Sequence, residues 1–320
     1  MKRLGIYFFY DKEGIVDDYI PFFLSQFKPF LSKLCIVVNG QLTEESKQKL
    51  LPYADNLLVR ENVGFDAWAY KYALDFYGIE KLVDFDEVIL TNFTFFGPFY
   101  PLDTLFDKMD QSPADLWGFF RWPNYDENRQ CLLPHALSTT FISYRRSLLQ
   151  SEAFKKYWEQ LPAINSYNES VCLHEQRQTQ YYERYNFRIA TWIDYQSYQK
   201  YWPTHWPLFC AYDLIVKESF PFLKRRQFFV EEGHFTWGWK NLEIIDFLQK
   251  HHLYDVSLIY KNICRTQPIQ TLPRHNCNWK GFCYFIKSYL HFNCLKRNKA
   301  KRYLMTQKDF HQAFYQKNHE

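Results

Sequence analysis

Arg60-Glu61-Asn62-Val63-Gly64-Phe65-Asp66-Ala67-Trp68-Ala69-Tyr70 is the stretch that decides the fold class. It follows a short apolar run at residues 56–59 that reads as a strand. Asn62 and Gly64 suit a tight turn with unusual backbone angles. Residues 65–77 then carry a helical pattern that Gly78 stops. A strand, a glycine turn and a helix opening directly from it form the repeating step of an α/β sheet. Further on, Thr91-Asn92-Phe93-Thr94-Phe95-Phe96-Gly97-Pro98 closes another strand. Polar turns at the C-terminal ends of strands are where such sheets bind ligands, so the two turns point to one site.

The same rhythm surrounds that stretch. Residues 4–10 and 34–38 read as buried strands, the second ending at Asn39-Gly40. Between them lies an apolar helix at 16–31, with Pro21 and Pro29 at its edges. Thr43 caps a helix to about residue 51, with Glu44 and Glu45 in its favourable first turn. A fourth strand falls at 87–90. This β-α-β alternation predicts a largely parallel sheet covered on both faces. Beyond Pro101 strands fall at 116–120, 141–144 and 187–193. Helices fall at 147–161, 169–185, 237–251 and 256–264. Residues 202–221, with three prolines, read as a loop-rich connection. Residues 280–297 place Phe282, Phe285, Ile286, Tyr289 and Leu290 at helical spacing, to dock on the domain or to lie on a membrane surface.

The bulk numbers fit this reading. With 320 residues, 47% hydrophobic and 23% charged, the chain can bury a sizeable core. Aromatics make up 21%, which suits either stacking on sugar faces or simply an aromatic-rich core. No run reaches the roughly 18 apolar residues of a membrane span. Asp11, Lys12 and Glu13 cut the first apolar run too early for a signal peptide, so a cytoplasmic protein is expected. The eight cysteines show no CxxC and read as reduced, buried small hydrophobes. Cys264, Cys277, Cys283 and Cys294, with His275 and His291, lack zinc spacing. The charge is uneven. Residues 274–320 hold ten Lys or Arg and two acids, whereas the remainder holds 29 against 33. Such a basic tail meets an anionic surface, nucleic acid or the inner membrane leaflet.

Four constellations bear on chemistry. The helix after the Arg60–Asp66 turn presents N–H groups and a positive dipole end to an anion such as a diphosphate. Asp66 either accepts hydrogen bonds from a ribose or base, or caps the helix. Asn92 and Thr94 either line a sugar or phosphate pocket, or form a turn closed by Gly97-Pro98. Glu175 and Thr179, four apart, share a helix face. Glu175 is either a base for a hydroxyl acceptor or a solvated charge. Lys224-Arg225-Arg226, between apolar flanks, either contacts phosphate or is a surface run. GxGxxG, Walker, HExxH and GxSxG patterns are absent. His135, His174, His205 and His234 read as structural.

Taken in order, these pieces resemble the rhamnan synthesis F family, the RgpF-like glycosyltransferases of bacterial surface polysaccharide assembly. The resemblance covers residues 4–229. It rests on residues 10–19, Val37-Val38-Asn39-Gly40, Arg60–Asp66 with Ala69-Tyr70-Lys71, and Asn92 to Pro101. Asp115-Leu116-Trp117-Gly118, residues 141–146 and 151–154, Glu175 with Thr179, and Pro221 to Arg225 continue it. It implies a GT-A-like, Rossmann-type mixed and mostly parallel sheet with flanking helices and a helical C-terminal extension. A glycosyltransferase domain is expected at 1–265, its nucleotide-binding half at about 1–130 and its acceptor half at about 131–265. The basic extension follows at 266–320.

The implied activity is sugar transfer, typically of rhamnose, from a nucleotide sugar such as dTDP-rhamnose to a lipid-linked or lipopolysaccharide glycan. It would act at the cytoplasmic face of the membrane, held there by its basic C-terminus, with no nucleic acid as partner. Arg60, Asn62, Gly64, Asp66, Asn92, Thr94, Lys224 and Arg225 are then expected to bind the donor. Glu175 is expected to be the base of an inverting transfer. The family usually carries an acid where this chain has Phe93, near the metal-binding acid of GT-A enzymes. A phenyl ring cannot ligate Mg²⁺ or Mn²⁺, which take oxygen ligands. Two expectations therefore stand: a divalent Mg²⁺ or Mn²⁺ cofactor, which Phe93 disfavours, and metal-free transfer with Lys224 and Arg225 neutralising the leaving diphosphate. The competing expectation is a non-catalytic glycan-binding or assembly subunit. The family's His-x-Gln-Ser-Tyr is also replaced, by His135-Ala136-Leu137-Ser138-Thr139-Thr140.

Overall fold

β1 (Arg3–Tyr10) is buried along nearly its whole length, as its unbroken apolar run requires of a central parallel strand. The computed structural model describes residues 1–125, 131–194, 196, 198, 210–228 and 240–267. α1 (Tyr19–Phe27) follows, shorter than predicted because the chain only becomes helical at Asp18, with Pro21 inside the first turn. β2 (Lys33–Asn39), α2 (Glu44–Leu50) and β3 (Asn56–Arg60) come next. Thr43 caps α2 by accepting from the Ser46 amide at 3.2 Å. α3 (Phe65–Tyr77) runs up to Gly78 and leads through a 3₁₀ turn to β4 (Glu87–Asn92).

Next come a short β5 (Phe95–Phe96) and α4 (Asp103–Asp110), a two-turn helix that the looser sequence hid. β6 (Leu116–Gly118), β7 (Arg121–Tyr125), β8 (Cys131–Leu137) and β9 (Phe141–Arg145) complete the middle of the chain. The single helix expected at 147–161 is two: α5 (Arg146–Leu149) and α6 (Glu152–Glu159). Ser151 breaks it by turning extended and capping the Phe154 amide. α7 (Tyr167–Ser170), a π-helical turn at Val171–Gln176 and α8 (Arg177–Arg184) occupy the long polar helix, and β10 (Ile189–Thr191) ends the sheet.

Two units divide the chain: Met1–Phe93 with Pro101–Trp206, and Thr94–Tyr100 with Pro207–Glu320. Among the described residues the first holds a seven-stranded sheet of order β10-β6-β9-β4-β1-β2-β3. β9 runs antiparallel to β4 and β6, and the other pairings are parallel. The fold is therefore a mixed, mostly parallel α/β sheet with flanking helices. β2 and β3 lie to one side of β1 and β4 to the other, so the strand order reverses at β1.

Both faces are covered, as expected. On one face Tyr7 stacks on Phe23, and Phe27 packs against Phe106 of α4 and Phe141 of β9. On the other, Leu4, Ile6, Phe8, Val37, Leu90 and Tyr144 form a core with Ala67, Ala73 and Leu74 of α3 and Phe154 and Trp158 of α6. Many of the aromatics thus serve the core. β7 and β8 form an antiparallel hairpin with a register shift between Trp122 and Asn124. An ion pair from Arg121 to Glu183 joins it to α8.

In the second unit, β11 (Leu223–Lys224) pairs antiparallel with β5, Leu223 opposite Phe96 and Lys224 opposite Phe95. The segment read as a loop-rich connection contains a helix at Ala211–Lys217, built on buried Ala211, Leu214 and Ile215. Helices at Asn241–Lys250 and Ser257–Thr266 match two of the predicted helices within a few residues. The amphipathic segment at 280–297, most of the clustered cysteines and the basic tail lie outside the described residues.

Candidate functional site

Three strands of the first unit end in polar residues on the same edge of the sheet. Asn39 ends β2, Arg60 ends β3 opposite it, and Asn92 ends β4 opposite Phe8. Asn39 is fully buried. Its Oδ1 accepts from Arg60 Nη1 at 2.8 Å, and its Nδ2 donates to the Phe65 carbonyl at 3.2 Å and to Asn62 Oδ1 at 3.5 Å. Arg60 Nη1 also donates to the Val63 carbonyl at 2.9 Å, and the guanidinium sits over the Tyr72 ring. Burial pulls the Arg60 pKa below its ordinary value, against the influence of Tyr72 and Glu61. Arg60 therefore braces the turn from within.

The turn itself is strained. Gly64 has φ +75°, and a Cβ there would lie 2.4 Å from Trp68. Phe65 follows at φ +55°, a left-handed conformation rarely adopted by a bulky residue. Two consecutive left-handed residues need support, and the Asn39–Arg60 contacts give it. Such over-determined strain gathers at functional sites.

Just past the turn, Asp66 collects donors. Its Oδ1 accepts from the Ala67 amide at 3.0 Å and from Ser170 Oγ at 3.3 Å. Its Oδ2 accepts from Asn92 Nδ2 at 3.4 Å. Burial first, then the neighbouring carboxylate of Asp66, push the phenol of buried Tyr70 well up, so it stays neutral. Asp66 and Asn92, expected in one donor site, do meet. Asn39 and Ser170 join them without having been singled out as site residues. Asn39 was visible as the polar end of an apolar strand, whereas Ser170 carried no signal because its contact spans 104 residues.

Glu175 is half-buried and lies in the π-helical turn, five residues beyond Ser170. Thr179 does not share its exposure: it is buried, and its Oγ1 accepts from the Leu137 amide at 2.7 Å. Glu175 lies in the wider π winding and Thr179 in the α-helix after it, so the simple four-residue face is not kept. Nearby His174 is buried against Tyr157 (Oη to Nδ1 2.9 Å), and burial first, then Arg177, pushes it down to about 3. It is a neutral structural histidine.

The second unit holds the other three expected residues together. Lys224 Nζ donates to Thr94 Oγ1 at 3.1 Å, and the Arg225 amide donates to the Thr94 carbonyl at 2.9 Å. Arg225 is buried and its Nε donates to Asn262 Oδ1 at 2.9 Å. Gly97 is required at the adjoining turn: φ is +125°, and a Cβ would stand 2.2 Å from the Pro221 carbonyl oxygen.

Phe93 packs edge-on against Phe8 and Phe9, with ring centroids 5.7 and 5.6 Å away. Its backbone carbonyl accepts from Tyr19 Oη. A packed ring supplies no oxygen where an acid was anticipated, so this position does not fit a divalent cation. Among the described residues no group of three or more His, Cys, Asp or Glu could hold a metal ion. Among the same residues no helix is long and apolar enough to cross a membrane. Against the expectation of burial, which Cys35 and Cys210 meet, Cys264 is half-buried and Cys172, in the π turn, is exposed.

The family model described as rhamnan synthesis protein F matches residues 34–306. A curated relative, the uncharacterized protein y4gN of Sinorhizobium fredii (strain NBRC 101917 / NGR234), is 22% identical over 194 residues, 59% of this chain. The chain spans 48% of that relative's length. Among solved structures, 4-diphosphocytidyl-2C-methyl-D-erythritol synthase from Anaerococcus prevotii DSM 20548 is 9% identical. It covers 59% of this chain and 86% of its own, with TM-score 0.39. Glucosyl-3-phosphoglycerate synthase from Mycobacterium tuberculosis, solved with Mn²⁺, UDP and phosphoglyceric acid, is 13% identical. It covers 46% of this chain and 56% of its own, with TM-score 0.32.

Proposed function

The chain belongs to the rhamnan synthesis protein F family, and from that premise we propose that it is a glycosyltransferase using a nucleotide-sugar donor. The observation that carries the reading is the meeting of Asp66, Asn92 and Ser170 beside the strained Gly64-Phe65 turn. It lies at the carboxyl ends of the strands, where strand order reverses and open α/β sheets bind ligands. A GT-A-like assignment of the sheet belongs to the same proposal.

In this reading Asp66 accepts hydrogen bonds from hydroxyl or N–H groups of the donor, with Asn92 beside it. Asn62, Gly64 and the braced Arg60 shape the turn. Glu175 takes the proton of the acceptor hydroxyl. That oxygen attacks the anomeric carbon, and the carbon–oxygen bond to the nucleoside diphosphate breaks with the electron pair on the leaving phosphate. Lys224, held by Thr94 in the second unit, is proposed as a phosphate-binding cation, with Arg225 fixing its strand. The finer assignments are a rhamnosyl donor such as dTDP-rhamnose and a lipid-linked or lipopolysaccharide glycan acceptor. Inverting, metal-free chemistry at the inner membrane face, reached through the basic tail, completes them.

Phe93 favours a second reading, a glycan-binding or assembly subunit that keeps the fold without turnover. A donor screen with purified protein separates the two. Release of nucleoside diphosphate from one donor, undiminished by EDTA, supports the enzyme. Thermal stabilisation by glycan fragments with no response to any nucleotide sugar supports the binding subunit.

A further inference from the structure

We propose that Ser170 is a positioning residue that ties the donor turn at Asp66 to the π turn bearing Glu175, so that donor binding at the first sets the second. The proposal rests on the donor-binding reading of Asp66.

The chain from Pro162 to Ser170 is held on α3 at both ends. Trp68 Nε1 donates to the Pro162 carbonyl at 2.9 Å, and Ser170 Oγ donates to Asp66 Oδ1 at 3.3 Å. Trp68 and Asp66 both stand in the first turn of α3, whose entry is the Gly64-Phe65 turn. Between the two clamps the segment is preformed. Ser166 accepts from the Glu169 amide at 3.2 Å, and Glu169 Oε2 accepts from the Asn165 amide at 2.8 Å, a reciprocal cap. α7 thus starts fixed, and its last residue is the one that touches Asp66.

Immediately after Ser170 the helix widens into the π turn, which contains Cys172, His174 and Glu175. π turns carry one extra residue and mark functional segments of helices. Beyond it the helix is fixed again: Gln178 Nε2 donates to buried Tyr144 Oη at 2.6 Å, and Thr179 holds the Leu137 amide. The turn bearing Glu175 therefore sits between an end fixed by His174 on Tyr157 and Gln178 on Tyr144, and an end set by Asp66. A donor hydroxyl hydrogen-bonded to Asp66 competes directly with Ser170 for the same carboxylate. Any shift in that bond passes to the π turn through one residue.

Exposed Cys172 reports the turn's geometry without engineering. Buried Cys35, whose thiol burial pushes up to about 12, and buried Cys210 react far more slowly. The test uses the full chain, with N-ethylmaleimide labelling of Cys172 read by peptide mass spectrometry. UDP and dTDP are the probes, and thermal shift reports their binding.

Without nucleotide, Ser170→Ala is expected to change the Cys172 labelling rate about fivefold, as is Asp66→Asn, and the double variant no further. With a stabilising nucleotide, the wild-type rate is expected to shift by a similar factor. Ser170→Ala should bind the nucleotide yet show no shift, and Ser170→Thr should restore it. In turnover, Ser170→Ala should lower kcat about tenfold with KM for the donor nearly unchanged. Stabilisation of the wild type with an unchanged Cys172 rate would overturn the coupling alone. So would additive single effects of Ser170→Ala and Asp66→Asn. Stabilisation by neither nucleotide would overturn the donor-binding reading, and this proposal with it.

Discussion

The two ends of the central sheet are built from different materials. At the end where β1 and β4 begin, charges are shut in. Glu87 is fully buried and meets Arg3 Nε at 2.7 Å, Arg145 Nε at 2.9 Å and Trp117 Nε1 at 2.6 Å. Asp110 pairs with the other side of Arg3, whose guanidinium also lies over Phe106. Burial works against the charge of Arg3, but Asp110 and Glu87 outweigh it and raise its pKa. At the opposite end, amides and hydroxyls surround one carboxylate, and two consecutive residues are left-handed. The first end joins strands through closed ion pairs. The second spends packing and strain on holding a carboxylate beside exposed Asn62 and Val63. The ion pairs and the proposed donor site thus lie at opposite ends of the strands.

The comparison can be broken first at Glu87. Glu87→Ala takes the shared acid from partly buried Arg145 and from buried Arg3, which keeps only Asp110, and is expected to cost about 3–5 kcal/mol in urea unfolding. A wild-type midpoint would show that the closed end is not what secures the sheet. Asp66→Asn is expected to do the reverse. Unfolding should change by about 1 kcal/mol, while nucleoside diphosphate release falls at least about tenfold. Equal losses from both substitutions in stability and in turnover would erase the distinction.

Gly64→Ala forces a Cβ into Trp68 at a left-handed position. It should destabilise by about 1–2 kcal/mol and weaken nucleotide binding, read by thermal shift with and without nucleotide. Stability should also depend on pH through His174. Its folded pKa is about 3, below the ordinary value of 6.5. Between these values the unfolded chain binds the extra proton, so its contribution is fully present above pH 6.5 and declines as the pH falls toward 3. The slope from this residue is at most about 1.4 kcal/mol per pH unit, and His174→Gln should flatten it in urea titrations at pH 4–7.

How much of this was legible in the chain depended on the range of the interactions. β1 to β4 and α3 were readable because apolar runs, Thr43, Gly64 and Gly78 act on their near neighbours. α4 was missed because two turns without a side-chain cap leave little pattern, and the 147–161 helix was read as continuous because Ser151 suits a cap as well as an interior position. The π turn was invisible, since one extra residue does not alter composition. In the candidate site, turn chemistry drew attention to Arg60, Asn62, Gly64, Asp66 and Asn92, whose contacts the structure then shows. Ser170 and the brace from Asn39 depend on contacts between segments remote in sequence, which no local signal encodes.

Whether Asp66 binds a sugar donor is decided by nucleoside diphosphate release from the purified chain across a donor panel, with Asp66→Asn measured in parallel. The wild type is expected to release nucleoside diphosphate from at least one nucleotide sugar, and a folded Asp66→Asn protein about tenfold less or lower still. Undiminished release by folded Asp66→Asn, or no release and no nucleotide binding by the wild type, would contradict that role.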